Sequence, residues 1–340
     1  MTQFRNLVFE GGGVKGIAYA GAIKVLTEKD MLKQICRVGG TSAGAISAAL
    51  LAVGADWQDI REIVGGTDFR SFMDDSWGLV RDVNRLVNDY GWFKGDAFSQ
   101  WMKKQVFGLT GKRSFTFADL EKFRKEKPET FRSLYVVGSN LSLGVAEVYS
   151  AETTPDLEIW SAVRISMSIP LFFAAVKDSD GDILVDGGVT WNYPLNLFDS
   201  KKYLSDSSKQ DLFVVPDYPT TNDEEHIYNK ETLGFRVDTK DEIAAQKKNW
   251  RSPPKEIDNL VDYLGSLLGY MMDIANKAHL HEDDWHRTVF IDALGVRATD
   301  FSLSAEAVEA LVESGESGAR DYFRWFEGRG KKPKNRVEER

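Results

Sequence analysis

The chain opens with short apolar runs separated by glycine turns and segments of helical period. Residues 6–10, Asn-Leu-Val-Phe-Glu, run into glycines, and residues 14–26 place Ile17, Gly21 and Val25 on one helical face. Residues 35–38 predict a second short strand, and residues 43–53 a second, buried helix. Strand, glycine turn, helix and strand in that order predict a βαβ unit and a parallel sheet. Asp56-Trp-Gln-Asp and Thr116-Phe-Ala-Asp are capped helix starts. Residues 65–130 read as mostly helical, with Phe69, Phe72, Trp77, Trp92 and Phe93 as exposed aromatics. Strands resume at 134–138, 146–149, 183–185 and 212–215, and a last one spans 288–292. Residues 200–256 are polar, broken by Asp217-Tyr-Pro and Ser252-Pro-Pro, and read as long loops. Residues 257–280 form a long amphipathic helix with Leu260, Leu264, Leu267, Leu268, Met271 and Met272 on one side. Residues 304–327 predict two short helices.

The 340 residues suit one large α/β domain over 1–327, followed by a basic, disordered tail over 328–340. Apolar residues at 42% and charged ones at 28% exclude collagen and a disordered chain. The net charge of −9 argues against bulk nucleic-acid binding, which needs a cationic footprint. A single cysteine, Cys36, excludes an internal disulfide and a multi-cysteine metal site; its apolar context reads as inert burial. No signal peptide is visible, and residues 43–55 are too few to span a bilayer, which needs about 20. A cytoplasmic location is expected, and export by a route that reads no N-terminal signal stays open.

Three segments carry chemistry. Glu10-Gly-Gly-Gly-Val-Lys-Gly follows a strand and opens a helix, where backbone N–H groups approach a ligand closely and favour an anion. Gly11, Gly13 and Gly16 satisfy a dinucleotide fingerprint, but the next strand ends in Val38-Gly-Gly without the acidic ribose ligand. No Gly-Lys-Ser/Thr follows, so a phosphate loop fails as well. Gly40-Thr-Ser-Ala-Gly44 is a G-x-S-x-G between strand and helix, the context of a nucleophile elbow, with a serine N-cap as its bland alternative. Consecutive parallel strands bring Gly11–Gly13 beside Ser42, so a nucleophile faces a row of backbone donors. Asp186-Gly-Gly188 ends a third strand; alone it is a turn, but at the shared crevice of an open parallel sheet it becomes a candidate base.

The four histidines, His226, His279, His281 and His286, all follow Asp186, which matches the Ser…Asp…His order of α/β-hydrolases. Only two strands precede Ser42, however, and the last three histidines lie in a polar stretch and read as solvated surface. No zinc spacing appears, and the Asp178-Ser-Asp-Gly-Asp run fails as a calcium loop and reads as a hairpin turn. A carboxylate base titrates from about 3.9 unless burial raises it, so no acid limb set by an imidazole near about 6.5 is expected in the pH profile.

The glycine run, Gly-Thr-Ser-Ala-Gly and the distant Asp-Gly-Gly together resemble the patatin-like phospholipases. So do Ser166-Met-Ser-Ile-Pro-Leu-Phe-Phe, Asn229-Lys-Glu-Thr-Leu-Gly-Phe-Arg-Val-Asp and Arg287-Thr-Val-Phe-Ile-Asp. The resemblance covers residues 6 to about 303. It implies a three-layer α/β/α sandwich with a mainly parallel sheet. It also implies phospholipase A-type acyl hydrolysis by a Ser42–Asp186 dyad, with no histidine, metal or cofactor. Gly11, Gly12 and Gly13 would form the oxyanion hole, supported by Lys15, Gly16, Gly40, Gly44, Gly187 and Gly188. Glu10 and Lys15 stand where plant members have aspartate and arginine, and the charge is kept. The implied partners are membrane phospholipid and the membrane surface, with room for an activator. An acyltransferase or thioesterase on the same dyad, and a nucleotide-binding module on the glycine loop, are the alternatives. The methionines of residues 257–280 read first as core and second as an acyl-channel lining.

Overall fold

The computed structural model describes residues 4–73, 90–206, 208–210, 227–239 and 282–328, with scattered positions between 257 and 275. Strand β1 is Asn6–Phe9, buried on both faces, as a central parallel strand must be. A short 3₁₀ turn over Gly13–Ile17 leads into helix α1, Ala18–Glu28. Strand β2, Arg37–Thr41, pairs in parallel with β1 and delivers the chain to α2, Ala43–Ala52, which is buried on every side. The capped starts form as the sequence predicts. Asp56 and Asp59 close a capping box on α3, Trp57–Gly65, and Thr116 and Asp119 close one further along the chain.

The segment expected to be mostly helical also contains strand β3, Gly91–Phe93, before α4, Asp96–Thr110, and α5, Phe117–Glu126. Its aromatics face inward: Phe72 is buried, and Phe69, Trp92 and Phe93 are half-buried. Trp77 lies outside the described residues. Strands β4, Ser133–Asn140, and β5, Val145–Ser150, form an antiparallel hairpin. Helix α6, Ile159–Ser166, is followed by β6, Leu171–Phe173, which pairs with β3 outside the main sheet. Strands β7, Val176–Lys177, and β8, Ile183–Asp186, flank the turn at Asp178, whose side chain accepts from the Asp180 and Asp182 amides. A single-turn helix, α7, spans Gly188–Trp191.

Two expectations are corrected in the second half. Residues 200–256 are not all loop: β9, Thr232–Asp238, is buried at every position and pairs with β1 at the centre of the sheet. Its charged Arg236 and Asp238 are buried as a pair, and Arg236 also pairs with Glu10. After β10, Thr288–Asp292, the chain forms one helix, α8, Ala305–Phe326, rather than two. Gly315 does not break it. A Cβ there would stand 1.8 Å from the Ala18 carbonyl oxygen, so the glycine is the contact that lets α8 lie against α1. The strand expected at 212–215 and the tail from 329 onward lie outside the described residues.

The main sheet has the order β10-β9-β1-β2-β4-β8-β7, and the first five strands are mutually parallel. Alternation along β1 sends Leu7 and Phe9 into the large core with α1 and α2, and Val8 into a smaller one with Tyr193, Leu195 and Phe198. Strand β8 is antiparallel to β4, which corrects the expectation of an all-parallel site. It overlaps only the end of β4, with Gly138 opposite Asp186 and Asn140 opposite Leu184. Because Thr41 of β2 lies opposite Val137, β8 ends at the level where β2 ends. Asp186 and Ser42 meet for this reason, although their strands run in opposite directions.

Candidate active site

Ser42 stands at the turn between β2 and α2 with φ 54° and ψ −127°. A non-glycine residue held there costs about 1–3 kcal/mol, the strain of a nucleophile elbow. The turn is tight because α2 starts directly against β1: a Cβ on Gly44 would stand 2.3 Å from the Phe9 carbonyl oxygen. The glycine loop is equally near, since a Cβ on Gly11 would stand 3.1 Å from Ser42 Cβ.

The segment Ser166-Met167-Ser168 touches both members of the pair. The Ser42 N–H donates to Ser166 Oγ at 2.9 Å, and the Ser166 hydroxyl donates to the Val137 carbonyl at 2.6 Å. The Ser42 hydroxyl donates to Met167 Sδ at 3.7 Å, and the Asp186 N–H donates to the Ser168 carbonyl at 2.9 Å. Arg164 holds this segment from beneath through the Lys94 carbonyl at 2.6 Å, the Ala174 carbonyl at 3.0 Å and the Ser168 hydroxyl.

Asp186 is fully buried. Its Oδ1 accepts from the Gly188 N–H at 2.7 Å, while Oδ2 has no hydrogen-bond partner of ordinary geometry among the described residues. Burial pushes its pKa up to about 7, against the opposing influence of the Ser42 hydroxyl and the Gly188 amide. A hydroxyl hydrogen rotates to suit its acceptor, so Met167 Sδ and the carboxylate compete for the same proton donor. Burial is the circumstance in which a carboxylate base leaves its ordinary range. Burial moves this carboxylate into the range of an imidazole.

In the glycine loop, the Gly11 N–H donates to the Asn192 carbonyl at 3.0 Å. The Gly11 amide is therefore already paired here. No backbone carbonyl among the described residues accepts from Gly12 or Gly13. Asn192 was not singled out by the sequence; its Nδ2 donates to the Gly11 carbonyl at 3.2 Å and to Glu10 Oε1 at 3.4 Å. Glu10 is buried and ion-paired with Arg236 at 3.2 Å, and Arg236 pairs in turn with Asp238 at 3.0 Å. Burial works against the Arg236 charge, but Asp238 and Glu10 outweigh it and hold the guanidinium protonated. Lys15 is buried and lies along Gly12, while Gly16 packs on Ala43, Gly40 on Gly44 and Gly187 on the Val137 carbonyl.

His286 precedes β10 and so lies at the opposite edge of the parallel strands from Ser42. It is half-buried against Trp325, at 6.0 Å between rings, rather than solvated. His226, His279 and His281 lie outside the described residues. Cys36 is half-exposed rather than buried, and accepts from Arg5 at 3.2 Å. Among the described residues no cluster of His, Cys, Asp and Glu is placed to hold a metal, and no helix is long and apolar enough to cross a membrane. Much of 257–280 also lies outside them. Of the described positions, Tyr263, Leu267, Tyr270, Met271 and Ile274 are exposed, whereas Ala275 is buried and Met272 Cε lies 2.8 Å from where a Cβ on Gly188 would stand.

An apolar slot lies beside the Ser42 turn. Gly13, Ala43 and Met167 line it next to Ser42, and Phe72, Phe172 and Phe173 line it further in.

The patatin-like phospholipase family model matches residues 7–199. An uncharacterized Bacillus subtilis protein, YqhO, is 30% identical over 322 residues, covering 91% of this chain and 94% of that protein. The Kluyveromyces lactis lysophospholipase NTE1 is 28% identical over 194 residues, covering 57% of this chain and 12% of that much longer protein. The crystal structure of VipD from Legionella pneumophila superposes with a TM-score of 0.57 at 18% identity, covering 95% of this chain and 67% of that one.

Proposed function

Because the chain belongs to the patatin-like phospholipase family, we propose that it is a serine lipid acyl hydrolase of the phospholipase A type. The observation that carries this reading is the pair itself: a strained serine at a strand-to-helix turn beside a buried carboxylate whose pKa is raised to about 7. In the first step the Ser42 hydroxyl attacks the ester carbonyl and its proton passes to Asp186. Such a base works best when its pKa lies near the working pH. The Gly12 and Gly13 amides receive the developing oxyanion, where one lost donor costs about 10²–10³-fold in kcat. Collapse of the tetrahedral intermediate expels the alcohol, which takes the proton back from Asp186 and leaves an acyl-serine. Water then enters, gives a proton to Asp186 and attacks the acyl carbon; as the bond to Ser42 Oγ breaks, Asp186 returns that proton to the serine oxygen and the fatty acid is released.

Asn192, Glu10 and Arg236 support this chemistry by fixing the glycine loop, with no contact to the reacting atoms. The apolar slot suits the first carbons of an acyl chain. Contact with a membrane surface is supported by the β4–β5 turn, where Leu141, Leu143 and Val145 are 49%, 64% and 45% exposed. This turn projects beyond the sheet edge that carries Ser42 and Asp186. The test is fatty-acid release from phosphatidylcholine vesicles by wild type and by Ser42→Ala. Release that disappears in the folded variant supports the reading, and equal release by both overturns it.

A further inference from the structure

The slot beside Ser42 is almost closed, with a free volume of about 20 Å³. That is room for about one water molecule and far too little for an acyl chain. Directly behind it lies a cleft of about 450 Å³, within the size range of small-molecule sites. Val14, Phe69 and Phe301 line both spaces and so form the wall between them. On the far side the cleft has an apolar floor of Ile17, Val64, Leu303 and Val308, and a polar rim that includes Asp68 and Ser304.

We propose that slot and cleft are two compartments of one acyl-chain route, and that the Phe69 and Phe301 side chains between them set the chain length accepted. The proposal rests on the reading of Ser42 as an ester-cleaving nucleophile. Both wall rings are half-buried, unlike Phe72 in the core, so they have solvent on one side into which to move. Each leans on a ring of the slot: Phe301 on Phe172 at 5.5 Å, and Phe69 on Phe72 at 5.7 Å. The Phe301 segment is tied to the glycine loop by the Val14 N–H, which donates to the Ala298 carbonyl at 3.1 Å. The wall therefore stands at a fixed place relative to Ser42. A short acyl group occupies the slot by displacing the flexible Met167 side chain alone. A long one must also turn a wall ring aside before its remaining methylenes reach the apolar floor, where each gains about 0.8 kcal/mol on burial.

The test is kcat/KM on p-nitrophenyl esters from butyrate to palmitate, held below their aggregation limits, read as the palmitate-to-butyrate ratio. Phe301→Ala joins the two spaces and should raise that ratio about tenfold or more, the worth of two buried methylenes. Phe301→Trp should lower it. Should Phe301→Ala fail to fold, Leu303→Trp, which fills the cleft from its floor, should lower the ratio as well. Phe107→Ala, an exposed change on α4, is the control and should leave the ratio as in wild type. A ratio unchanged in folded Phe301→Trp and Leu303→Trp, with wild type active, overturns the partition alone. Wild type inactive on every ester overturns the reading of Ser42 and the partition with it.

Discussion

The amide of Ser42 is held by the hydroxyl of Ser166, 124 positions later in the chain, at 2.9 Å. Ser166 is wholly buried and its hydroxyl donates to the Val137 carbonyl, so one side chain ties the Ser42 turn to strand β4. Ser166→Ala leaves the Ser42 amide without this partner, at about 1–3 kcal/mol. The variant should melt lower, and its kcat should fall by up to about 10²-fold, as expected when a nucleophile loses its placement. Thermal melts and steady-state kinetics on a soluble ester check this. Wild-type values in both would mean the bond holds nothing that matters.

Asp186 must be ionised to accept the serine proton, and burial raises its pKa to about 7. The rate should therefore climb with pH through an acid limb centred near about 7, in the range where a histidine would also titrate. His286→Gln should keep that limb, because the ring lies at the far edge of the sheet. A limb near about 4 would show that the carboxylate is not held out of water during turnover.

The same burial makes Asp186 a cost to stability at neutral pH. Its folded pKa lies above the unfolded one, so the favourable contribution is complete below about 3.8 and is lost as pH rises through about 7. Above that range the penalty is about 4 kcal/mol. Asp186→Asn keeps an acceptor for the Gly188 amide and never ionises. It should lose catalysis yet melt higher than wild type at pH 8, with the gain shrinking toward pH 4. A variant less stable than wild type at pH 8 would contradict the assignment.

Leu143 is the most exposed of the apolar side chains Leu141, Leu143 and Val145 at the β4–β5 turn. Leu143→Asp should reduce hydrolysis of vesicle phospholipid by about tenfold or more, since one leucine side chain is worth about 1.5–3 kcal/mol on burial. Hydrolysis of a soluble ester should stay within about twofold. Equal losses on both substrates would place the residue in folding rather than in surface contact.

Ser42 and Asp186 were legible because each carries a local signature: glycines around a serine between strand and helix, and an aspartate before two glycines at a strand end. The strands that join them were less so. Strand β9 was hidden in a stretch read as loop for its polarity and proline breaks, and a pattern of hydrophobic positions cannot register that Glu10, far earlier in the chain, neutralises the Arg236 guanidinium inside it. The antiparallel direction of β8 follows from its overlap with the end of β4 and leaves no trace in its four residues. Ser166 and Met167 were noticed only as part of a resembling loop, because their role depends on where α6 ends in space. Asn192 had no signal at all. Its work is done by one carbonyl and one amide against the glycine loop, and asparagine after a helical turn is commonplace.

The central claim is that Ser42 is the nucleophile and Asp186 its base. It is tested most directly by treating the protein with an alkyl fluorophosphonate, which phosphonylates an activated serine, and measuring intact and peptide mass. A single adduct on the peptide containing Ser42, formed at least about 10²-fold more slowly in Asp186→Asn and not at all in Ser42→Ala, is the predicted result. An adduct at another residue, or wild-type labelling of Ser42 in folded Asp186→Asn, would contradict it.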